Sequence, residues 1–216
     1  NALAKVFAAR MVPDRFAEST ISNIYYDTPD FRLIRRSLEK PVYKEKLRLR
    51  SYGRADREHP VFMELKKKYR SIVYKRRLTL PYGRALDCLT GDCPWPETQI
   101  GREIGYAMDF YPDLEPRVFL SYERDSWYAP ESGLRITFDD AIRFRTADLT
   151  LDSDLWGTAL LRPDQVLMEL KAPGAIPLWM VRLLTEMGLY KTSFSKYGTA
   201  YQILLEQEYK GGKRYA

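Results

Sequence analysis

Between residues 42 and 81 the chain alternates charged and apolar side chains along three successive segments, "VYKEKLRLRSY", "PVFMELKKKY" and "SIVYKRRLTL". A two-residue period of this kind predicts β-strands. In "KEKLRLRSYG", residues 44–53, Lys46, Arg48 and Arg50 share one face and Leu47 and Leu49 the other. The next two segments repeat the division. Glu64, Lys66 and Lys68 oppose Met63 and Leu65, and Lys75, Arg77 and Thr79 oppose Tyr74, Leu78 and Leu80. Three later segments, "PRVFLSYERDSWY", "GLRITFDDAIRFRT" and "VLMELKAP", carry the same device. They group Tyr122 with Arg124, set Arg135, Thr137 and Asp139 against Leu134, Ile136 and Phe138, and set Glu169 and Lys171 against Met168 and Leu170.

Helical spacing appears elsewhere. "LAKVFAARM" places Leu3, Val6, Phe7 and Met11 on one face and predicts a helix that Pro13 ends. "ISNIYYDTPDFRLIRRSL" predicts a short strand, a turn at Asp27-Thr28-Pro29-Asp30 and a helical turn. Ile100, Ile104, Ala107 and Met108 predict a helix over 97–111, and "DSDLWGTALL" predicts a short one. Two helices close the chain. One runs from Ile176 to Met187, with Pro177 in its first turn and Gly188 at its stop, and the other from Ser195 to about Tyr209. No linker, repeat or low-complexity tract divides the chain, so one α+β domain over 1–216 is expected, with a frayed tail at "KGGKRYA".

Charge gives these faces their meaning. A solvated antiparallel face mixes signs, because like charges opposite one another repel. Here Lys46, Arg48, Arg50, Lys66, Lys68, Lys75, Arg77, Arg124, Arg135 and Lys171 stand against only Glu64, Asp139 and Glu169. Taken singly, each segment is also compatible with an ordinary amphipathic strand whose charges are solvated. The repetition points instead to an antiparallel barrel turned inside out, its lumen charged and its apolar outer wall covered by helices. Closure would also remove exposed strand edges. Such a lumen suits a polyanion, above all a chain of phosphates, because Arg forks onto phosphoryl oxygens and Lys acts as a movable point charge. Glu64 and Glu169 each stand two residues before a Lys, which leaves two roles open: an internal salt bridge, or a carboxylate that holds Mg2+ or Mn2+ together with phosphate oxygens.

Composition narrows the field. The chain has 216 residues, 45% hydrophobic and 13% aromatic, enough for a packed core. Its charge of +6 points to an anionic partner. Cys88 and Cys93 are the only cysteines and His59 the only histidine, so neither a zinc site within one chain nor a disulfide framework is expected. No apolar run approaches the ~20 residues of a membrane span and no signal peptide opens the sequence, which makes the cytoplasm the expected compartment. "KGGKR" lacks the spacing of a phosphate-binding P-loop, and Ser121 has no histidine partner for nucleophilic chemistry. Asp139-Asp140 could hold a metal, but Asp140 would face outward and turn support is the expected role; Trp95 and Trp127 are expected in the core or in surface loops, not as base-stacking platforms. Nucleic acid is not an expected partner, because a duplex cannot enter a lumen where the cations face inward.

In order along the chain, "YYDTPD", "KLRLRSYG", "ELKKKY", "YKRRLTL", "SYER", "LRITFDDAI", "MELK" and "SFSKY" resemble the VTC domain. That domain is the polyphosphate polymerase module of the triphosphate tunnel metalloenzyme, or CYTH-like, superfamily. The resemblance runs from about Ile24 to Gly198 and rests on the order of the motifs, none of which is specific alone. It implies a tunnel barrel of about eight strands, a divalent Mn2+ or Mg2+, and transfer of the γ-phosphoryl of ATP to a growing polyphosphate chain. By position, Arg48 and Arg50 resemble the family's paired phosphate-gripping arginines, and Lys66 and Lys75 the lysines of the next two strands. Tyr122, Arg124 and Arg135 resemble its Tyr-x-Arg and following Arg, Glu169 its metal carboxylate, and Ser195 and Lys196 its Ser-Lys pair near the tunnel mouth. Ser195 also fits a helix N-cap, and a helix N-terminus favours an anion. Lys46, Lys68, Arg77 and Lys171 extend the same basic faces.

The family has a strand ahead of the first helix that supplies a basic lumen residue. The chain begins after that strand, so an open seam is expected if it is absent. Ser193 stands where a lysine is common, with Lys191 close by. Two further functions share the expected lumen: a triphosphatase in which Glu64 orients water, and a polyphosphate or inositol-phosphate sensor without turnover.

Overall fold

The computed structural model describes residues 9–212. Its elements are β1 (Val12–Asp27), α1 (Arg32–Leu38), β2 (Tyr43–Tyr52), β3 (Pro60–Tyr69), β4 (Ile72–Pro81), α2 (Tyr82–Thr90), α3 (Gln99–Phe110), β5 (Glu115–Ala129), β6 (Leu134–Arg145), β7 (Thr158–Ala159), β8 (Leu167–Lys171), α4 (Leu178–Glu186) and α5 (Lys196–Gly212). This is an α+β fold around one antiparallel sheet, hydrogen-bonded in the order β4-β3-β2-β1-β5-β6-β7, with β8 also on β6. Among the described residues no helix is long and apolar enough to cross a membrane. The chain divides into two compact units, and β1, β5 and β6 contribute to both.

The larger unit comprises residues 21–121, 143–160 and 195–212. Register sets its chemistry: Leu47 pairs with Leu65 and Leu49 with Met63, while Arg48 pairs with Glu64 and Lys46 with Lys66. The apolar members form a core with Ile24, Tyr26 and Leu80, and helices α2 and α3 close over it with Tyr82, Ala85, Ile104 and Ala107. The leucines of β2 therefore lie under helices, and the cations have the other face. On the helix side, Lys67 and Arg76 meet Glu103 of α3 at 3.6 and 3.0 Å. The smaller unit comprises residues 9–20, 122–142 and 161–194 and repeats the plan. Leu134 and Ile136 of β6 pack with Met180 and Leu183 of α4, while Arg135 and Thr137 pair with Lys171 and Glu169 on the opposite face.

Three segments differ from expectation. β1 begins at Val12 and takes in Pro13, where the sequence predicts the end of a helix and only a short strand from Ile21. "VPDRFAEST" has little apolar alternation of its own; its strand state comes from lying beside β5 in the sheet. Residues 9–10 are helical, and the rest of the helix expected from Leu3 lies outside the described residues. α2 is an addition. Its punctuation is present in the sequence as Pro81 before it and Gly91, at φ 86, after it.

The third segment is "DSDLWGTALL", which forms no helix. Arg145 is 4% exposed and draws the carbonyls of Ala147, Asp148, Asp154 and Trp156 onto its guanidinium at 2.9–3.2 Å, together with the Ser153 hydroxyl. A helix would have spent carbonyls of this stretch on its own ladder. The chain instead wraps the guanidinium and returns as β7, which pairs with Arg143 and Phe144. Gly157 makes that return possible. It has φ 140, and a Cβ there would lie 2.3 Å from the Phe144 carbonyl oxygen. Gly157→Ala should destabilise the protein by about 3 kcal/mol, combining a disallowed backbone with an overpacked contact. A urea-unfolding midpoint equal to the wild type would refute this.

Candidate functional site

Glu64 is the hub of the larger unit's charged face. Its side chain is 2% exposed, yet it is surrounded by cations. Arg48 donates to Oε2 from Nε and Nη2 at 2.8 and 2.7 Å, and the Arg50 guanidinium lies 3.8 Å away. Arg77 donates to Oε1 from Nε and Nη2 at 2.7 and 2.6 Å, and Lys75 approaches the same oxygen at 2.8 Å. The cause is register, because Arg48, Glu64 and Arg77 lie directly opposite one another on β2, β3 and β4. Burial alone would raise the carboxyl's pKa, but Arg48, Arg50 and Lys75 outweigh it and hold the group well below the usual carboxylate range. Of the two roles open to Glu64 from the sequence, these contacts are those of the internal salt bridge. They occupy the roughly four lone-pair sites of a carboxylate.

One row along the same strands has no such hub. Lys46, Lys66 and Lys75 lie directly opposite one another on β2, β3 and β4, and Lys44 opposes Lys68 in the next row. Lys75 has Glu64, but no carboxylate pairs with Lys46 or Lys66 among the described residues. Burial, followed by Lys44, Lys66 and Arg48, lowers the Lys46 pKa, with only Tyr25 opposing. Lys46 donates to Ser195 Oγ at 3.1 Å, and that oxygen also accepts the Gly198 N–H at 3.1 Å at the start of α5. Ser195 is therefore a helix N-cap, and it brings the N-terminal N–H groups of α5 and Lys196 to the lysine row. An ammonium beside a helix N-terminus is electrostatically unfavourable, whereas an anion placed there satisfies both.

Several supporting residues have no role at the site that the sequence alone assigns. Asn23 accepts from Arg50 Nε at 2.8 Å and donates to the Leu120 carbonyl at 3.0 Å, which fixes that guanidinium. Tyr25 accepts from Arg48 Nη1 at 3.0 Å and stacks on Tyr197 with ring centroids 4.4 Å apart. Tyr197 donates to Asp27 at 2.8 Å, and Asp27 in turn accepts the Leu33 and Ile34 N–H groups at the start of α1. The "YYDTPD" motif is thus a brace that ties β1, α1 and α5 behind the arginines. Asp27 and Tyr197 are 170 residues apart in sequence, and no local pattern announces their contact.

The smaller unit holds the other residues expected at the site. Arg124 forks onto Asp139 at 2.6 and 2.8 Å and lies 5.2 Å from the Tyr122 ring. Asp139 is fully buried, so its role is this ion pair, not the turn support read from "DD"; Asp140 is exposed as expected. Arg135 and Lys171 face one another across β6 and β8, and Arg135 lies over Tyr128 at 5.7 Å. Glu169 is about half exposed and meets Lys171 at 3.2 Å. Opposite it, the Thr137 hydroxyl is buried with no hydrogen-bond partner.

Of the two carboxylates expected at a metal, Glu169 is the more exposed. No group of three or more His, Cys, Asp or Glu converges among the described residues. The donor set therefore fits an ion such as Mg2+ or Mn2+ that takes one carboxylate and completes its shell with phosphate oxygens and water. It does not fit an ion held by protein ligands alone.

The model of the VTC domain family matches residues 2–205. Among solved structures, a candidate adenylate cyclase of Bacillus halodurans is 15% identical, with a TM-score of 0.49 over 84% of this chain and 81% of that one. The PH1819 protein of Pyrococcus horikoshii OT3 is 14% identical, with a TM-score of 0.44 over 95% of this chain and 92% of that one. No curated protein matches the chain.

Proposed function

The chain belongs to the VTC-domain family, and from that premise we propose that it is an ATP-dependent polyphosphate polymerase. The observation that carries this reading is the lysine row of β2, β3 and β4 beside the N-terminus of α5, a run of like charges without enough carboxylates to neutralise it. Closely spaced cations of that kind are satisfied by a ligand whose own charges repeat at short intervals, as in a chain of phosphates.

Phosphoryl transfer asks the protein mainly for alignment and charge neutralisation. Lys46, Lys66 and Lys75, with Lys68, Ser195 and Lys196, bind phosphoryl oxygens. Arg48, Arg50 and Arg77, held in place by Glu64, Tyr25 and Asn23, supply forked donors of fixed orientation. Arg124 and Arg135 do the same in the smaller unit, where Lys171 adds a point charge and Tyr122 a single hydroxyl donor. A terminal oxygen of the polyphosphate chain attacks the γ-phosphorus of ATP, and the bond to the bridging oxygen breaks with ADP leaving. The attacking oxygen is already ionised, so no protein base is needed. A divalent ion held by Glu169, Mn2+ or Mg2+, would supply further neutralisation of phosphoryl charge.

The test is an end-point reaction of the purified chain with ATP and Mn2+, with products resolved by phosphate chain length. A ladder of long chains is the expected product. Release of free phosphate alone would assign hydrolysis instead, although Glu64 has no open lone pair with which to orient water. Binding without turnover would assign a sensor. Glu169→Gln should slow chain growth by about 100-fold and leave the melting temperature in place, since Glu169 is half exposed and its ion pair with Lys171 lies within one strand at the surface. An unchanged rate would remove Glu169 from the reaction.

A further inference from the structure

Cys88 and Cys93 are the only two cysteines of the chain, and the end of α2 brings them together. Gly91 turns the backbone out of the helix at φ 86, and the N–H groups of Asp92 and Cys93 both return to the Asp87 carbonyl, at 2.8 and 3.2 Å. That fold-back sets Cys93 over the last turn of α2, with its sulfur 2.8 Å from that of Cys88. The two thiols differ in access: Cys88 is buried against the core and Cys93 is half-buried. Neither lies in the charged rows, and the proposed reaction uses neither.

We propose that Cys88 and Cys93 are a thiol-oxidation site that closes to an intramolecular disulfide by exchange with a small disulfide of the glutathione type. Cys93 attacks first, being the more accessible. Its thiolate bonds to one sulfur of the small disulfide and expels the other half as a thiolate, which takes up the proton lost from Cys93. Cys88 then gives up its proton and attacks Cys93 Sγ, and the second small thiolate leaves with that proton. Two protein thiols are oxidised and one small disulfide is reduced to two thiols. Burial and the neighbouring Cys93 push the Cys88 thiol up to about 12, in keeping with Cys88 as the second, resolving thiol. The bridge would tie the end of α2 to the segment that leads into α3. Both helices cover the apolar face of the strands that carry the lysine row.

The whole chain should be incubated in oxidised glutathione, with intact mass and denatured-state thiol titration as readouts. Both thiols should disappear together, the mass should fall by two hydrogens, and the product should run as a monomer on a non-reducing gel. Its melting temperature should rise and return on reduction. Cys88→Ser should stop at a stable glutathione adduct on Cys93. In Cys93→Ser the remaining Cys88 should react more than about tenfold slower than Cys93 does alone. A persistent glutathione adduct on the wild-type chain, a disulfide-linked dimer, or unchanged thiols would each overturn the proposal.

Discussion

Glu64→Gln should lower the stability of the ligand-free protein by about 3–5 kcal/mol, the cost of removing one partner from a buried ion pair. For a chain of this size that is roughly 6–20 °C in melting temperature. The loss does not come from the glutamine, which fits the space; it comes from Arg48, Arg50, Lys75 and Arg77, left facing one another without their shared anion. The pH dependence follows from the depressed carboxyl. A group ionised more readily when folded contributes its full stabilisation above its ordinary pKa of 4.5 and loses it as the pH falls through the lowered folded value. The gap between wild type and variant should therefore be constant from about pH 5 to 8 and narrow in stronger acid. Inorganic tripolyphosphate should restore more melting temperature to the variant than it adds to the wild type, because it replaces the missing anion. Equal melting temperatures for the two proteins would show that the arginines do not depend on Glu64.

The polarity of the fold was legible because it is written in short periods. In "KEKLRLRSYG" the alternation assigns each side chain to a face, and the excess of cations marks one face as the charged one. The helices then had to lie over the leucines, as α2 and α3 do over Leu47 and Leu49. Ser195 was legible for a similar reason, since capping is a local act. What the sequence left open was set by register and by distance along the chain. Nothing local to Glu64 separates a salt bridge from a metal ligand; the cations around it are set by an alignment fixed by how β2, β3 and β4 slide past one another. Asp139 was placed on the charged face, but its partner Arg124 lies on another strand. β1 escaped because its first half has the composition of a loop and gains its strand state within the sheet. Arg145 is the clearest case of tertiary demand overriding local preference: it takes carbonyls that a helix at "DSDLWGTALL" would have used for itself.

Lys46→Gln should separate binding from stability. Glutamine keeps a donor within reach of Ser195 but removes one charge from the lysine row, so tripolyphosphate affinity should fall by about 10- to 100-fold, the worth of a charge-assisted hydrogen bond of about 1.5–3 kcal/mol. Stability without ligand should move the other way, rising by up to about 1 kcal/mol, because like charges directly opposite on neighbouring strands repel. Burial first, then Lys44, Lys66 and Arg48, holds the Lys46 pKa below its ordinary 10.5, so carrying the charge costs the folded state at neutral pH. That cost disappears as the pH rises through the lowered folded value toward 10.5, and the variant's advantage should vanish over the same range. Calorimetric titration with tripolyphosphate and urea unfolding at pH 7 and above measure the two halves independently. A variant that binds weakly and is also less stable would mean that Lys46 is a structural donor to Ser195 and that the row is not held in tension for an anion. A variant that binds weakly and is more stable would mean that β2, β3 and β4 keep an unfavourable arrangement that only a polyanion relieves, which is the physical content of a phosphate-binding site.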